Sequence, residues 1–589
     1  MDRDQTIRTI LAIALAVLVM VAWTMLFPQR PPAPQPAPAE TPATAQQSAP
    51  PAAEPEPGGA GAATPQAGAA PAPAPAAAVA GQAGEPPFEV RTPHVEIEFS
   101  ARGARVISWK LLGYPSHPQE KKSAPVDLVS TESRALDRHA LQLDLGDAEL
   151  SKRAGEAWFR HEVGPASAAD RSARSLPDGT QRVDFRWSDG AGLEVAKTFW
   201  IPADSGYLAQ VEWSATRNGQ PLPGAMLQWG PGIGAIPEAG SKNQYAYRGP
   251  VVVALPGGIE RLQPAKQSGD ISWSAMEAPR WLALDEQYFA VAMIPRQPAP
   301  AVARVVNVPQ ASKGEEKQFT IGTAATSVAI FAGPKAGRVL AEVDQKLGTS
   351  ISQMVNWGFF GFLAHPLYSA LAWLERGVRN WGLAIILITV VIKLIFFPLT
   401  QRSMVRMRQT QQRMAALQPK IHKLKEKYRD KRDMESRRQM NEEMMALYKR
   451  EGVNPAASMV GCLPLLLQLP VLYAMYTVLT TSIELRGAPF FGWIQDLSAA
   501  DPYYITPIVM GLTMLLQQVM SMTKTEDPQQ RAQQRMMLMM PVMFTWFFLW
   551  MPVGLVIYWL VNNILSIAQQ WLINRQALAA PVAEPGRAR

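Results

Sequence analysis

Thirty-nine consecutive residues without a formal charge, Met536 to Asn574, constrain this chain more than any other feature. As one helix, that run would be about twice as long as the hydrocarbon core of a bilayer is thick. Met551-Pro552-Val553-Gly554 supplies a tight turn near its middle, so the run reads as two spans, 536–551 and 553–574. Other long apolar runs give spans at 380–400, 459–483 and 503–523, and Ile10 to Phe27 adds an 18-residue run near the start. That first run is longer than the apolar region of most signal peptides, and its end, Trp23-Thr24-Met25-Leu26-Phe27, lacks an Ala-x-Ala site. Residues 1–27 therefore read as an uncleaved anchor. The expected total is six spans.

Charge sets the orientation. Arg402 to Arg450 holds fifteen Lys or Arg against six Asp or Glu, and short basic loops stay cytoplasmic. With six spans and a cytoplasmic N-terminus, the 401–455 segment, the 524–535 loop and the 575–589 tail all face the cytoplasm. The apolar segment 350–376 would reverse that parity if it crossed. Its aromatic density and central His365-Pro366 suit a helix lying in the outer interface instead.

Residues 28–87 form a Pro/Ala/Gln/Gly tract that cannot bury enough apolar surface to fold, and they read as a tether. From 88 to 335 the pattern becomes short alternating runs, such as Val95, Ile97, Phe99 and Val183, Phe185, Trp187. Asp189-Gly190 and Asn218-Gly219 mark hairpins. The expectation is a large antiparallel β-sandwich on the outer side of the membrane. The lone Cys462 excludes an intrachain disulfide framework, which suits a periplasm and a core large enough to do without cross-links.

The 401–455 segment reads as an antiparallel helical hairpin. Met407, Met414, Leu417, Ile421, Leu424 and Tyr428 keep heptad spacing, and Met440, Met444 and Leu447 resume it. Its methionines fit a hairpin core or an adaptable surface for apolar segments. Its basic exterior fits a solvated face, or contact with anionic lipid or ribosomal RNA.

Lys393 is the only charged residue inside a predicted span. It lies six residues, about 9 Å, before Leu399, close enough to the cytoplasmic end to snorkel. Polar residues at similar depth in other spans favour a different role. Thr389 lies one turn before Lys393, Gln468 sits in the third span, and Thr513 and Gln517 in the fourth. The last span carries a stripe of Tyr558, Asn562, Ser566 and Gln569. Polar groups in lipid turn inward towards partners or water, so these residues predict a hydrated, positive groove open to the cytoplasm. No acidic residue inside the spans pairs with Lys393, which argues against an ion-coupled carrier. The absence of a Gly-x-x-x-x-Gly-Lys-Ser/Thr loop excludes a P-loop motor. A carbohydrate-binding envelope protein would need an aromatic and carboxylate site in the β domain, which the sequence does not locate.

Several stretches carry a family resemblance. They are Trp381-Gly382 with Ile388-Thr389 and Lys393, Phe397-Pro398-Leu399-Thr400, Leu417-Gln418-Pro419-Lys420-Ile421, and Glu443-Met444-Met445-Ala446-Leu447-Tyr448. Asn454-Pro455, Gly461-Cys462-Leu463-Pro464 before Gln468, and Asp501-Pro502-Tyr503-Tyr504 complete the set. With these the chain resembles the YidC/Oxa family of membrane insertases, in its Gram-negative form. The resemblance implies a five-helix insertase core, a periplasmic β super-sandwich, no cofactor and no catalytic residue. It implies substrates that are nascent inner-membrane proteins, and partners including the Sec translocon (SecYEG, SecDF) and translating ribosomes, with no role on DNA. It places the family's groove cation at Lys393. Where relatives often have two tyrosines, this chain has Tyr558-Trp559, which leaves a stacking role open.

Overall fold

The computed structural model describes residues 78–579, apart from 119, 121, 205, 235–248, 311–313, 429–432, 451–462 and 523–527. The expected anchor 1–27, most of the 28–87 tether, Asn454-Pro455, Gly461-Cys462 and the end of the tail lie outside the described residues.

Between Phe88 and Pro334 the described residues are mostly β structure, and every pairing between their strands is antiparallel. A ten-stranded sheet runs from Gly258–Leu262 at one edge to Arg160–Pro165 at the other. A five-stranded and a four-stranded sheet accompany it. Alternation decides which side chains enter the core. In the strand Val95–Ser100, Val95, Ile97 and Phe99 are buried while Glu96 and Glu98 between them face outward. Asn218 and Gly219 both take positive φ, at 54° and 77°, the backbone needed by a tight turn that matches strand twist.

The domain is larger at both ends than the 88–335 reading. Val79 exchanges backbone hydrogen bonds with Ser188, and Gly81 donates to Trp158, so part of the expected tether belongs to the β domain. After the last strand, Ser327–Pro334, helix α1 (Gly337–Leu347) buries Leu340 and Val343 in the same core, with Ile351 and Met354 beyond it. Three short helices, Thr131–Ala135, Ala148–Glu156 and Ala168–Arg174, also interrupt what reads in the sequence as continuous β pattern.

Among the described residues seven α-helices follow: α2 (Gly361–Val378), α3 (Trp381–Lys427), α4 (Met434–Arg450), α5 (Leu463–Thr481), α6 (Ile505–Ser521), α7 (Pro528–Phe548) and α8 (Val553–Ala579). Among the described residues, two stretches are long and apolar enough to cross a membrane, Trp381–Arg406 and Val553–Arg575; Ile505–Ser521 is apolar but shorter. The helices that cover the 39-residue run end at Phe548 and resume at Val553. A separate core of α2, α3, α5, α6, α7 and α8 residues centres on Ile385, Ala474, Met475, Met510 and Tyr558.

Helix α3 departs from the sequence reading. The 380–400 span and the first hairpin helix form one 47-residue helix that passes through Pro398 and Pro419. Proline removes a helix N–H and ordinarily kinks or ends the helix. Just past Pro398, the Thr400 hydroxyl donates to the Phe396 and Phe397 carbonyls at 3.0 and 3.1 Å, adding a side-chain tie across the weakened turn. In the hairpin itself, Leu417 and Ile421 are buried against Met414, Met444, Leu447 and Tyr448. Met440 is half-buried, and the side chain of Met407 lies outside what is described.

Candidate functional site

Helix α8 organises the site because its polar residues lie on two faces. One face carries Tyr558, Asn562, Ser566 and Gln569, a stripe about 17 Å long at 1.5 Å per residue. The ammonium of Lys393 on α3 donates to Ser566 Oγ at 2.7 Å and to Asn562 Oδ1 at 3.3 Å. Near the N-terminal end of the stripe, Gln468 Nε2 of α5 donates to the buried Tyr558 hydroxyl at 3.3 Å. Near the C-terminal end, Gln569 Nε2 donates to Thr400 Oγ1 at 3.0 Å and Gln401 Oε1 at 3.3 Å, while its own Oε1 is buried without a hydrogen-bond partner among the described residues.

The second face meets α6. Asn563 Nδ2 donates to Thr513 Oγ1 at 3.4 Å, and the Gln570 side chain exchanges hydrogen bonds with Ser521 at 3.3 Å. Asn563, Gln570 and Ser521 are absent from the sequence reading, and Thr400 enters it only within the Phe397-Pro398-Leu399-Thr400 motif. A second helical stripe signals the first two: residues 563 and 570 are seven apart, two turns along one face.

The remaining candidates are placed differently. Thr389 is buried and bonds back to its own helix at the Ile385 carbonyl, 2.6 Å away. Gln517 is half-buried on α6. Trp559 turns towards α7, stacked on Phe544 with ring centroids 6.2 Å apart and close to Phe548 at 5.2 Å.

Lys393 thus holds a charge among neutral acceptors. The sequence places no Asp or Glu within 380–400, 463–483, 505–521 or 536–574. Single interhelical hydrogen bonds in membranes are worth about 0.6 kcal/mol on average. Placing an ammonium at the centre of a spanning helix costs several times that, about 2.5–3.5 kcal/mol. Two neutral hydrogen bonds do not offset such a cost, so this lysine is a functional candidate rather than a stabilising one.

A second cluster joins the β domain to the helices. Glu484 Oε1, past the end of α5, accepts from Tyr368 Oη of α2 at 2.6 Å and from the Gly337 N–H at the start of α1 at 3.3 Å. Arg486 Nη2 donates to the carbonyls of Pro115 and Ser116 at 2.7 and 2.9 Å, and its guanidinium lies 5.5 Å from the centre of the Phe289 ring. Gln287 Nε2 donates to the last turn of α5 at the Thr480 carbonyl, 2.9 Å away. At the α6 entrance, the Asp501 carboxylate accepts from Trp493 Nε1, the Tyr503 and Thr506 N–H groups and the Thr506 hydroxyl. Burial alone would raise its pKa, but these donors hold it below the usual carboxylate range.

Known proteins resemble the chain along most of its length. A family model described as 60Kd inner membrane protein matches residues 373–580, and one described as YidC periplasmic domain matches residues 88–370. A membrane protein insertase YidC from Nitrosococcus oceani is 35% identical, over 84% of this chain and 86% of its own length. One from Azotobacter vinelandii is 33% identical, over 97% of this chain and 98% of its own. A solved active YidC insertase with its first transmembrane domain resolved aligns at 17% identity over 83% of this chain and 93% of that one, with a TM-score of 0.34.

Proposed function

This chain belongs to the YidC family, and from that footing we propose that it inserts and helps fold inner-membrane proteins without catalysing a covalent reaction. The observation that carries this reading is Lys393, a cation held only by the neutral Ser566 and Asn562 among its hydrogen-bond partners. A hydrophilic terminus or loop of a substrate enters a hydrated groove from the cytoplasm and exchanges water for the polar stripe of α8. Its path through hydrocarbon is thereby shortened. The apolar segment of the substrate then slides out between helices into lipid, driven by its own burial.

In this reading six spans place both termini and the basic hairpin in the cytoplasm, with the β domain in the periplasm. Helix α2 lies in the outer interface, in keeping with the exposed Phe359, Phe362 and Trp373 around and along it. The Sec translocon with SecDF, and translating ribosomes, are the proposed partners. The test is photo-crosslinking from positions 389, 393 and 562 to nascent membrane proteins in native membranes. Adducts at 393 and 562 are expected; no adducts at any of the three would overturn the groove.

A further inference from the structure

The two hairpin helices leave a cleft of about 440 Å³ between them, which borders their shared core at Leu447. One wall carries Lys420, Lys423, Leu424 and Lys427 of α3, and the other carries Glu443, Ala446, Leu447 and Arg450 of α4. Each set falls at i, i+3, i+4 and i+7, so each is one continuous ridge two turns long. The helices run antiparallel, with Lys427 paired to Glu443 Oε1 and Oε2 at 2.7 and 2.9 Å and the Tyr428 hydroxyl on the same carboxylate. Seven residues along each ridge from that pair come Lys420 and Arg450, so like charges share the opposite end of the cleft. The floor between is apolar: Leu424, Ala446 and Leu447.

Four cations and a single, already bonded carboxylate leave the cleft with a net charge of about +3. We propose that it is a docking site for an amphipathic helix of a partner protein, with an apolar stripe flanked by carboxylates. Two parallel ridges with an apolar floor are what a third helix packs into, through its own i, i+3, i+4, i+7 stripe. The charges choose the partner: carboxylates beside that stripe meet Lys423 and Arg450, while a basic helix is repelled. The floor separates this occupant from a phosphate backbone or a lipid headgroup, since either would use the cations and gain nothing from Leu424.

The test uses the full chain in nanodiscs of zwitterionic lipid. The probe is a fluorescent 18-residue helical peptide bearing leucines at i, i+3, i+4 and i+7 with glutamates beside them. Binding in the micromolar range is expected by anisotropy, weakened at least tenfold by Lys423→Glu or Arg450→Glu. Leu424→Asn, outside the packed hairpin core and neutral in charge, is expected to weaken binding at least fivefold. A peptide with its leucines changed to serine at the same charge is expected to lose binding to a similar degree. Equal binding of that serine peptide would overturn the proposal. So would tighter, Leu424-independent binding of oligouridylate RNA or of phosphatidylglycerol vesicles, which would reassign the cleft to phosphate.

Discussion

The phenol of Tyr368 donates to Glu484 Oε1 at 2.6 Å, and this one bond ties the helix that follows the β domain to the loop that follows α5. Burial, then the neighbouring Glu484 charge, pushes the Tyr368 hydroxyl above its ordinary pKa, so it stays a donor at any physiological pH. Tyr368→Phe leaves the half-buried carboxylate with the weaker Gly337 donor, a loss of about 1–3 kcal/mol for a hydrogen bond to a charged group. The expected result is faster hydrogen exchange in 337–347 and 482–488 with little change in the outer strands. Unchanged exchange in both segments would show that the bond does not hold the two regions together.

Gly382 predicts a steric effect at the start of α3. A Cβ there would lie 2.0 Å from Phe490 Cδ2. The Phe490 backbone is held in place, its N–H donating to Ile494 and its carbonyl accepting from Asn380, the residue that caps α3. Gly382→Ala should therefore destabilise the chain by about 1–3 kcal/mol through overpacking. Adding Phe490→Ala should recover part of that loss in a double-mutant cycle of thermal unfolding in detergent. Strict additivity would show that the two residues do not meet.

Much of this architecture is legible in the sequence because its signals are local. Alternation exposes the strand Val95–Ser100, paired positive-φ residues make the Asn218-Gly219 hairpin, and the charge-free run divides at Pro552. Continuity of α3 through Pro398 is not legible, since proline in a pattern argues for a boundary and the Thr400 bonds back to Phe396 and Phe397 depend on a side-chain rotamer that the pattern does not specify. In the site, the stripe Tyr558, Asn562, Ser566 and Gln569 follows from helical spacing. Its pairing with Lys393 requires two segments about 170 residues apart to meet, which no local pattern encodes. Trp559 shows the same limit: adjacent residues on a helix face different neighbours, and only packing reveals that it stacks on Phe544.

Lys197 makes the β domain pH-sensitive. Its side chain is 1% exposed, and Nζ donates to the Ala104 and Leu141 carbonyls at 2.7 and 2.6 Å, which accept from either protonation state. Burial pushes its pKa down to about 7, from 10.5 in an unfolded chain. Between those values the unfolded state holds more protons than the folded state, so this group's contribution to stability rises with pH from about 7 to about 10.5. Lys197→Met removes the titration while keeping the volume. Denaturant unfolding followed by the buried tryptophans should show the parent gaining on the variant between pH 7 and pH 9. A parent-minus-variant difference that is flat across that range would mean Lys197 stays charged when buried.

Lys393 yields the sharpest test, because two roles for it predict different patterns. If its charge draws acidic or polar substrate tails into the groove, Lys393→Arg retains insertion, since a guanidinium still donates to Ser566 and Asn562. Lys393→Ala should be intermediate: Tyr558, Asn562 and Gln569 of α8 and Gln468 of α5 still supply polar groups along the stripe. Lys393→Glu should lose most activity, because an inverted charge in a low-dielectric setting repels the tails with little screening. The effect should grow with each acidic residue in the translocated tail and be smallest for an uncharged one. A lysine that only snorkels predicts little change for any tail, since glutamate also reaches the near interface. Ser566→Ala separates the charge from its setting: it removes the 2.7 Å partner but keeps the cation, so it should weaken insertion less than Lys393→Ala. The measurement is protease protection of a reporter carrying zero, one or two acidic residues in its tail, with every variant at matched abundance. Equal protection by the Lys, Ala and Glu forms across that series would leave Lys393 as an anchor of α3 and remove the electrostatic step from insertion.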